Sequence, residues 1–427
     1  MWERPRSSTT FMSPGREARS RPLAMVELLL LVGVVVAVFV GFNIGGSNTG
    51  VAFGPAVGSR AVSKVVAAAL MSVFALLGGW TVGRNVVETL GGRIVPAGLF
   101  TLEASIAVLF FIGFALMISN LFGVPASTSM TAVGAIAGLG LATGQLNWET
   151  MGQIVAWWVV APVIAFWLSG VIGRYLYPRF VAWFAVARTE GSLLAIDRSG
   201  RIPTPTLGPN TSAREFVGTT SVVAIGCYMA FSAGASNVAN AVAPLVGNEA
   251  ITMNQGILLA GAAIGLGAFT IARRTLDTMG NDLTQLPLVA ALIVAVVSAS
   301  LVTFLSWIGI PASFVVIATM SIVGLGWGRA TRTATLPGTV SGESAPRPSV
   351  GALAADADET PTVGHPETKP HGGTPTPIGE ESSEDMPSAS DLFEPKTTAR
   401  VILLQNLVPS IATIAAYLLF RFVPNIG

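Results

Sequence analysis

Charged residues are scarce in this chain: they make up 11% of its 427 residues. A soluble domain carries about 25%, and a soluble fold this poor in charge could not cover its own surface. Apolar runs of about 20 residues recur, each long enough to cross a hydrocarbon core of about 30 Å as a helix. The composition therefore excludes an ordinary soluble protein and places the chain in a membrane. Cysteine is nearly absent. Cys227 stands alone in an apolar segment, so neither an intrachain disulfide nor a cysteine-based zinc site can form. Both histidines, His365 and His371, fall in one polar, acidic stretch, where a solvated loop is a better reading than a metal site. The apolar body has no histidine and no paired carboxylates suited to acid–base work. This argues against a membrane-embedded enzyme, and no catalytic residue, metal or cofactor is assigned.

The net charge of +1 hides an uneven distribution. Eleven of the 23 acids lie between Glu343 and Glu394, which leaves 12 acids against 22 bases in the rest of the chain. A positively biased membrane body suits an anionic solute, although arginines also gather at helix ends for topological reasons.

Composition divides the chain into six parts. Residues 1–24 form a polar leader with Arg4, Arg6, Arg16, Arg19 and Arg21. The apolar run after it is long for a signal peptide and reads as a retained first membrane helix. Residues 25–186 form a first membrane repeat, and 187–213 a linker containing Pro203, Pro205 and Pro209. A second membrane repeat covers 214–332. Residues 333–397 are rich in Pro, Ser, Thr, Gly and acids; they cannot bury enough apolar surface to offset their ordering entropy and read as a disordered loop. Residues 398–427 hold a final membrane helix.

Self-comparison is the most informative step. Gly45 to Pro55 reads GGSNTGVAFGP and Gly234 to Pro244 reads GASNVANAVAP, an offset of 189. At the same offset, RNVVETLG from Arg84 matches RRTLDTMG from Arg273. At an offset of 186, Gly123-Val124-Pro125-Ala126-Ser127 matches Gly309-Ile310-Pro311-Ala312-Ser313, and Gly138-Leu139-Gly140 matches Gly324-Leu325-Gly326. Duplication of a unit of 180–190 residues is the economical reading. Gly, Pro, Ser, Thr and Asn within apolar sequence predict broken helices. Breaks leave backbone groups unpaired in lipid, at a cost of several kcal/mol each, and survive where they line a site. Secondary transporters use such paired breaks, one from each repeat. Helix N-termini and Ser, Thr and Asn side chains would offer an oxyanion many donors.

At these residues the sequence resembles the inorganic phosphate transporter family, which includes sodium- or proton-coupled phosphate permeases and sulfate-permease-like members. The family's duplicated signature reads roughly GANDVANAxGP. Gly234 to Pro244 is close to it, and Gly45 to Pro55 matches it more loosely. GVPASTSM from Gly123 and GIPASFVV from Gly309 resemble the family's second duplicated element. Trp157 to Pro162, WWVVAP, resembles its Trp/Pro membrane helix. The resemblance implies an all-α polytopic fold of two inverted repeats with broken helices and re-entrant hairpins. It also implies Ser127, Thr128, Ser129 and Ser313 as anion ligands. Ser47, Asn48, Ser236, Asn237 and Asn240 would sit at the broken helices beside the anion. The chain departs from the family where Asn-Asp becomes Ser-Asn, at 47–48 and again at 236–237. Asn cannot titrate and offers a cation only a carbonyl oxygen, so sodium or proton coupling stays open.

The expectation is a multi-pass cell-membrane permease moving inorganic phosphate by alternating access. The alternatives are a sulfate or related oxyanion permease of the same fold, and an anion channel. The expected partners are the oxyanion and the lipid bilayer, with no nucleic acid; a homodimer is left open.

Overall fold

The computed structural model describes residues 23–59, 61–121, 127–184, 194–197, 204–207, 213–270, 288–333 and 395–423. The basic leader, the acidic stretch with both histidines, the Arg273–Gly280 segment and residues 123–126 of the first Gly-Pro motif lie outside the described residues.

The described chain is almost wholly helical, as lipid demands of a backbone that must pair with itself. The first half holds α1 (Leu23–Gly58), α2 (Lys64–Thr81), α3 (Gly83–Glu88), α4 (Leu102–Leu121), α5 (Thr128–Thr143), α6 (Trp148–Val171) and α7 (Tyr177–Phe184). The second holds α8 (Ala213–Gly247), α9 (Met253–Thr270), α10 (Leu288–Trp307), α11 (Phe314–Thr333) and α12 (Pro395–Phe422). Seven helices are long and apolar enough to cross a membrane, among the described residues, and the protein is a multi-pass membrane protein. The exception to the all-α expectation is in the linker. There β1 (Leu194–Asp197) pairs antiparallel with β2 (Thr204–Leu207), Leu194 opposite Leu207.

Three apolar helical stretches fall below spanning length among the described residues: Thr128–Thr143, Phe314–Arg329 within α11, and Asn406–Phe422 within α12; 16 residues of helix, as in α5, extend about 24 Å, against about 30 Å of hydrocarbon. Before α11 the chain reverses at Gly309, whose φ of 78° is in the left-handed region that favours glycine. Its N–H bonds to Ser306 O at 3.0 Å, and Ile310 N–H bonds to Leu305 O at 2.8 Å, which closes the end of α10. The expected hairpin at Gly309–Ser313 is thus formed by α10 and α11, which pack on each other.

The Gly-x-Ser-Asn motifs do not break their helices. α1 runs through Gly45–Pro55 and α8 through Gly234–Pro244 without interruption. The physical reason lies in the polar side chains. Asn43 Nδ2 bonds to Phe39 O at 2.9 Å, Thr49 Oγ1 to Gly45 O at 2.7 Å and Asn237 Nδ2 to Ala233 O at 2.9 Å. Each reaches back one turn to a carbonyl of its own helix, so these polar groups are satisfied without a break in the helix.

The motif glycines let helices touch. A Cβ at Gly45 would overlap the Ile264 carbonyl on α9, and one at Gly234 would overlap the Ala75 carbonyl on α2. Both contacting positions are related by the same 189 residues as the glycines themselves. Helix pairing follows the same exchange: α1 packs on α9 and α8 on α2, while α5 packs on α12 and α11 on α6. The final helix, which composition alone sets apart, therefore packs on α5 as α6 packs on α11. Each carries an internal proline, Pro162 and Pro409.

Candidate functional site

The polar side chains of an apolar bundle must find partners inside it. Four of the nine residues picked from sequence meet in one buried cluster where α8 packs on α5. Asn240 Nδ2 donates to Ser129 Oγ at 3.3 Å and to Asn237 Oδ1 at 3.1 Å. Ser129 and Ser236 hydroxyls are 3.1 Å apart. Ser236 Oγ donates to Ala312 O at 2.9 Å. All four side chains are buried. Ser236 thereby bridges the first turn of α5 to the turn that precedes α11.

Ser127 and Ser313 stand at the starts of two helices. Each is the N-cap of its short helix, with Ser127 Oγ accepting from Met130 N–H at 3.2 Å and Ser313 Oγ from Val316 N–H at 3.3 Å. Such caps satisfy one orphan donor and leave others at the helix start. The N–H groups of Thr128 and Ser129 on α5, and of Phe314 and Val315 on α11, have no acceptor within their own helices. Two positive dipole ends thus converge beside Ser236, an arrangement that favours an anion. Thr128, 8% exposed, keeps its hydroxyl outside the cluster.

A narrow cleft, with a cavity volume of about 10 Å³, abuts this junction. It is lined by Met130, Trp157, Trp158, Ala312, Ser313 and Val316 among others. Trp158 Nε1 donates to Pro311 O at 2.8 Å and ties α6 to the turn before α11.

The remaining two residues, Ser47 and Asn48, are not brought into the cluster. Ser47 Oγ bonds to Asn43 O at 3.2 Å and Ile44 O at 3.1 Å in its own helix. Asn48 Nδ2 is buried with no hydrogen-bond partner. Sequence reasoning missed Asn43 and Asn120: Asn120 Nδ2 donates to Asn43 Oδ1 at 3.1 Å and to Asn43 O at 3.3 Å. It also missed Ser232, whose Oγ donates to Ala299 O at 3.0 Å. The signal was present, since Asn43 and Ser232 each stand two residues before the duplicated glycine. No group of three His, Cys, Asp or Glu side chains suited to a metal occurs among the described residues.

Comparison with known proteins bears on the same segments. The model of the phosphate transporter family matches residues 44–345. The sulfate permease CysP of Bacillus subtilis is 29% identical over 297 residues, covering 69% of this chain and 77% of that protein. A protein of Thermococcus kodakarensis named "Putative phosphate permease" is 23% identical over 371 residues, covering 73% of this chain and 91% of its own. A solved structure, the sodium-dependent phosphate transporter, superposes with a TM-score of 0.61 at 18% identity, over 93% of this chain and 100% of that one; this likeness is one of fold.

Proposed function

Because the chain belongs to the phosphate transporter family, we propose that it is a secondary transporter carrying inorganic phosphate across a cell membrane. The observation that carries the reading is the junction of Ser129, Ser236 and Asn240 between the starts of two short helices. A tetrahedral oxyanion needs donors from several directions, and two helix N-termini with adjacent hydroxyls supply them. The anion ligands in this reading are Ser129, Thr128 and Ser236, with the N–H groups at the starts of α5 and α11. Ser127 and Ser313 set those helix starts in place. Asn237 and Asn240 hold Ser129 and Ser236 in position.

Reciprocal packing of α1 on α9 and α8 on α2 supports two repeats related by a pseudo-twofold, inverted as in alternating-access carriers. Rocking of one repeat against the other would then expose the junction to each side in turn.

Sulfate is the second reading. It is favoured by the Bacillus subtilis relative and by a cluster with no carboxylate, since sulfate only accepts hydrogen bonds. The test is uptake of labelled phosphate and sulfate into proteoliposomes, with and without sodium and proton gradients. The proposal expects saturable phosphate uptake with counterflow. Sulfate uptake with no phosphate uptake would overturn the substrate, and flux that does not saturate would point to a channel.

A further inference from the structure

The hydrogen positions in the buried cluster follow from its geometry. Asn237 Nδ2 faces the Ala233 carbonyl, which can only accept, so the Asn237 amide has one orientation. Its Oδ1 therefore accepts from Asn240 Nδ2, which fixes the second amide. Asn240 also donates to Ser129 Oγ. Ser236 gives its one hydroxyl proton to Ala312 O, so it must accept from Ser129. The chain runs in one direction, from Asn240 through Ser129 and Ser236 to Ala312.

One atom is left over. Asn240 Oδ1 has no hydrogen-bond partner, and Asn240 is 1% exposed. Flipping the amide does not relieve this, because it would set two carbonyl oxygens, those of Asn237 and Asn240, against each other. The leftover atom is an acceptor on the side chain that bonds to Ser129, a ligand in the proposed anion site, where an anion would bring acceptors of its own. A cation would need several oxygens, and its neighbours Asn237 Oδ1, Ser129 Oγ and Ser236 Oγ already accept hydrogen bonds. The missing partner is one that carries a proton.

We propose that Asn240 Oδ1 is a selector that accepts the hydroxyl proton of a protonated tetrahedral oxyanion and so discriminates hydrogen phosphate from sulfate. This rests on the reading of the junction as the anion site. Phosphate near neutral pH keeps at least one P–OH group, and arsenate keeps the matching As–OH. Sulfate has none and leaves the buried carbonyl unpaired. An unpaired buried group costs about 1–3 kcal/mol. At about 1.4 kcal/mol per tenfold, the expected preference for an oxyanion bearing a hydroxyl is about 10- to 100-fold.

The test uses the full-length protein in proteoliposomes, with labelled phosphate uptake challenged by four unlabelled anions at neutral pH. Phosphate and arsenate carry the hydroxyl. Sulfate lacks it, and monofluorophosphate has the size and charge of hydrogen phosphate with a fluorine in the hydroxyl's place. The proposal expects phosphate and arsenate to compete at concentrations about 10- to 100-fold below sulfate and monofluorophosphate. In Asn240→Val, which installs the residue found at the matching position 51, the ratio between phosphate and monofluorophosphate should fall to within about threefold. Equal competition by phosphate and monofluorophosphate in the parent protein overturns the selector while leaving the anion site standing, and needs no variant to fold. An undiminished ratio in Asn240→Val also overturns it. Absence of saturable uptake of phosphate, arsenate and sulfate alike overturns the anion site itself.

Discussion

The two halves share a scaffold and differ in what they put on it. Gly45 presses α1 on α9 and Gly234 presses α8 on α2 at matching positions. Yet α8 carries Ser236, Asn237 and Asn240 into a hydrogen-bonded junction, whereas the matching stretch of α1 reads Ser47, Asn48 and Val51. Ser47 turns back on its own helix, and Val315, which stands opposite Ser129 in the internal alignment, is apolar and buried. The packing recurs in both halves, whereas the directed polar chain ties α8 to Ser129 of α5 and has no counterpart on α1 among the described residues. Backbone contacts leave little room for change, because a methyl group in a close-packed contact must displace something. Side chains facing a cavity are freer to drift.

The largest expected effect tests the shared part. Gly45→Val and Gly234→Val should each destabilise the fold by about 3 kcal/mol or more through overpacking. Thermal unfolding in detergent measures this, and a large cost in one half with none in the other would break the claimed equivalence. The next effect tests the difference. Ser236→Ala strands a buried Ala312 carbonyl and the Ser129 hydroxyl, at about 1–3 kcal/mol, and should raise the phosphate KM about tenfold. Ser47→Ala gives up bonds within its own helix and should change KM less than about threefold. Similar KM values for the two variants would make the halves functionally alike. Asn48→Ala removes a buried donor that has no partner, so stability should rise by up to about 1 kcal/mol while phosphate KM stays within about threefold. A loss of stability would mean that Asn48 is already satisfied in the resting protein. The smallest effect concerns Asn120, whose amide pairs with Asn43 at the end of α4. Asn120→Ala should cost about 0.5–1 kcal/mol of stability and leave KM unchanged; a shifted KM would extend the site to α4.

Much of this was legible in the sequence. Low charge and recurrent apolar runs gave the membrane class, and the offsets of 189 and 186 paired the elements that exchange roles in the packing. Ser129, Ser236, Asn237 and Asn240 were found because hydroxyls and amides are conspicuous in apolar sequence. Helix breaks at the Ser-Asn motifs were expected and are not seen. The polar side chains that suggested a break instead bond back to carbonyls one turn earlier, and periodicity does not reveal which way a side chain bonds. The pairing of Asn43 with Asn120 joins residues 77 apart in sequence, and no local pattern encodes it. The matching packing of α12 on α5 and α6 on α11 has no counterpart in the two sequence offsets, because the long acidic stretch stands between α11 and α12.

The central claim is that the anion is held at the junction where α8 meets the start of α5. The most direct measurement is the saturation curve for labelled phosphate uptake by Ser129→Ala in proteoliposomes, beside the parent at matched reconstitution. The account predicts a folded protein whose KM for phosphate has risen about tenfold or more. A variant with the parent's KM and maximal rate would contradict it.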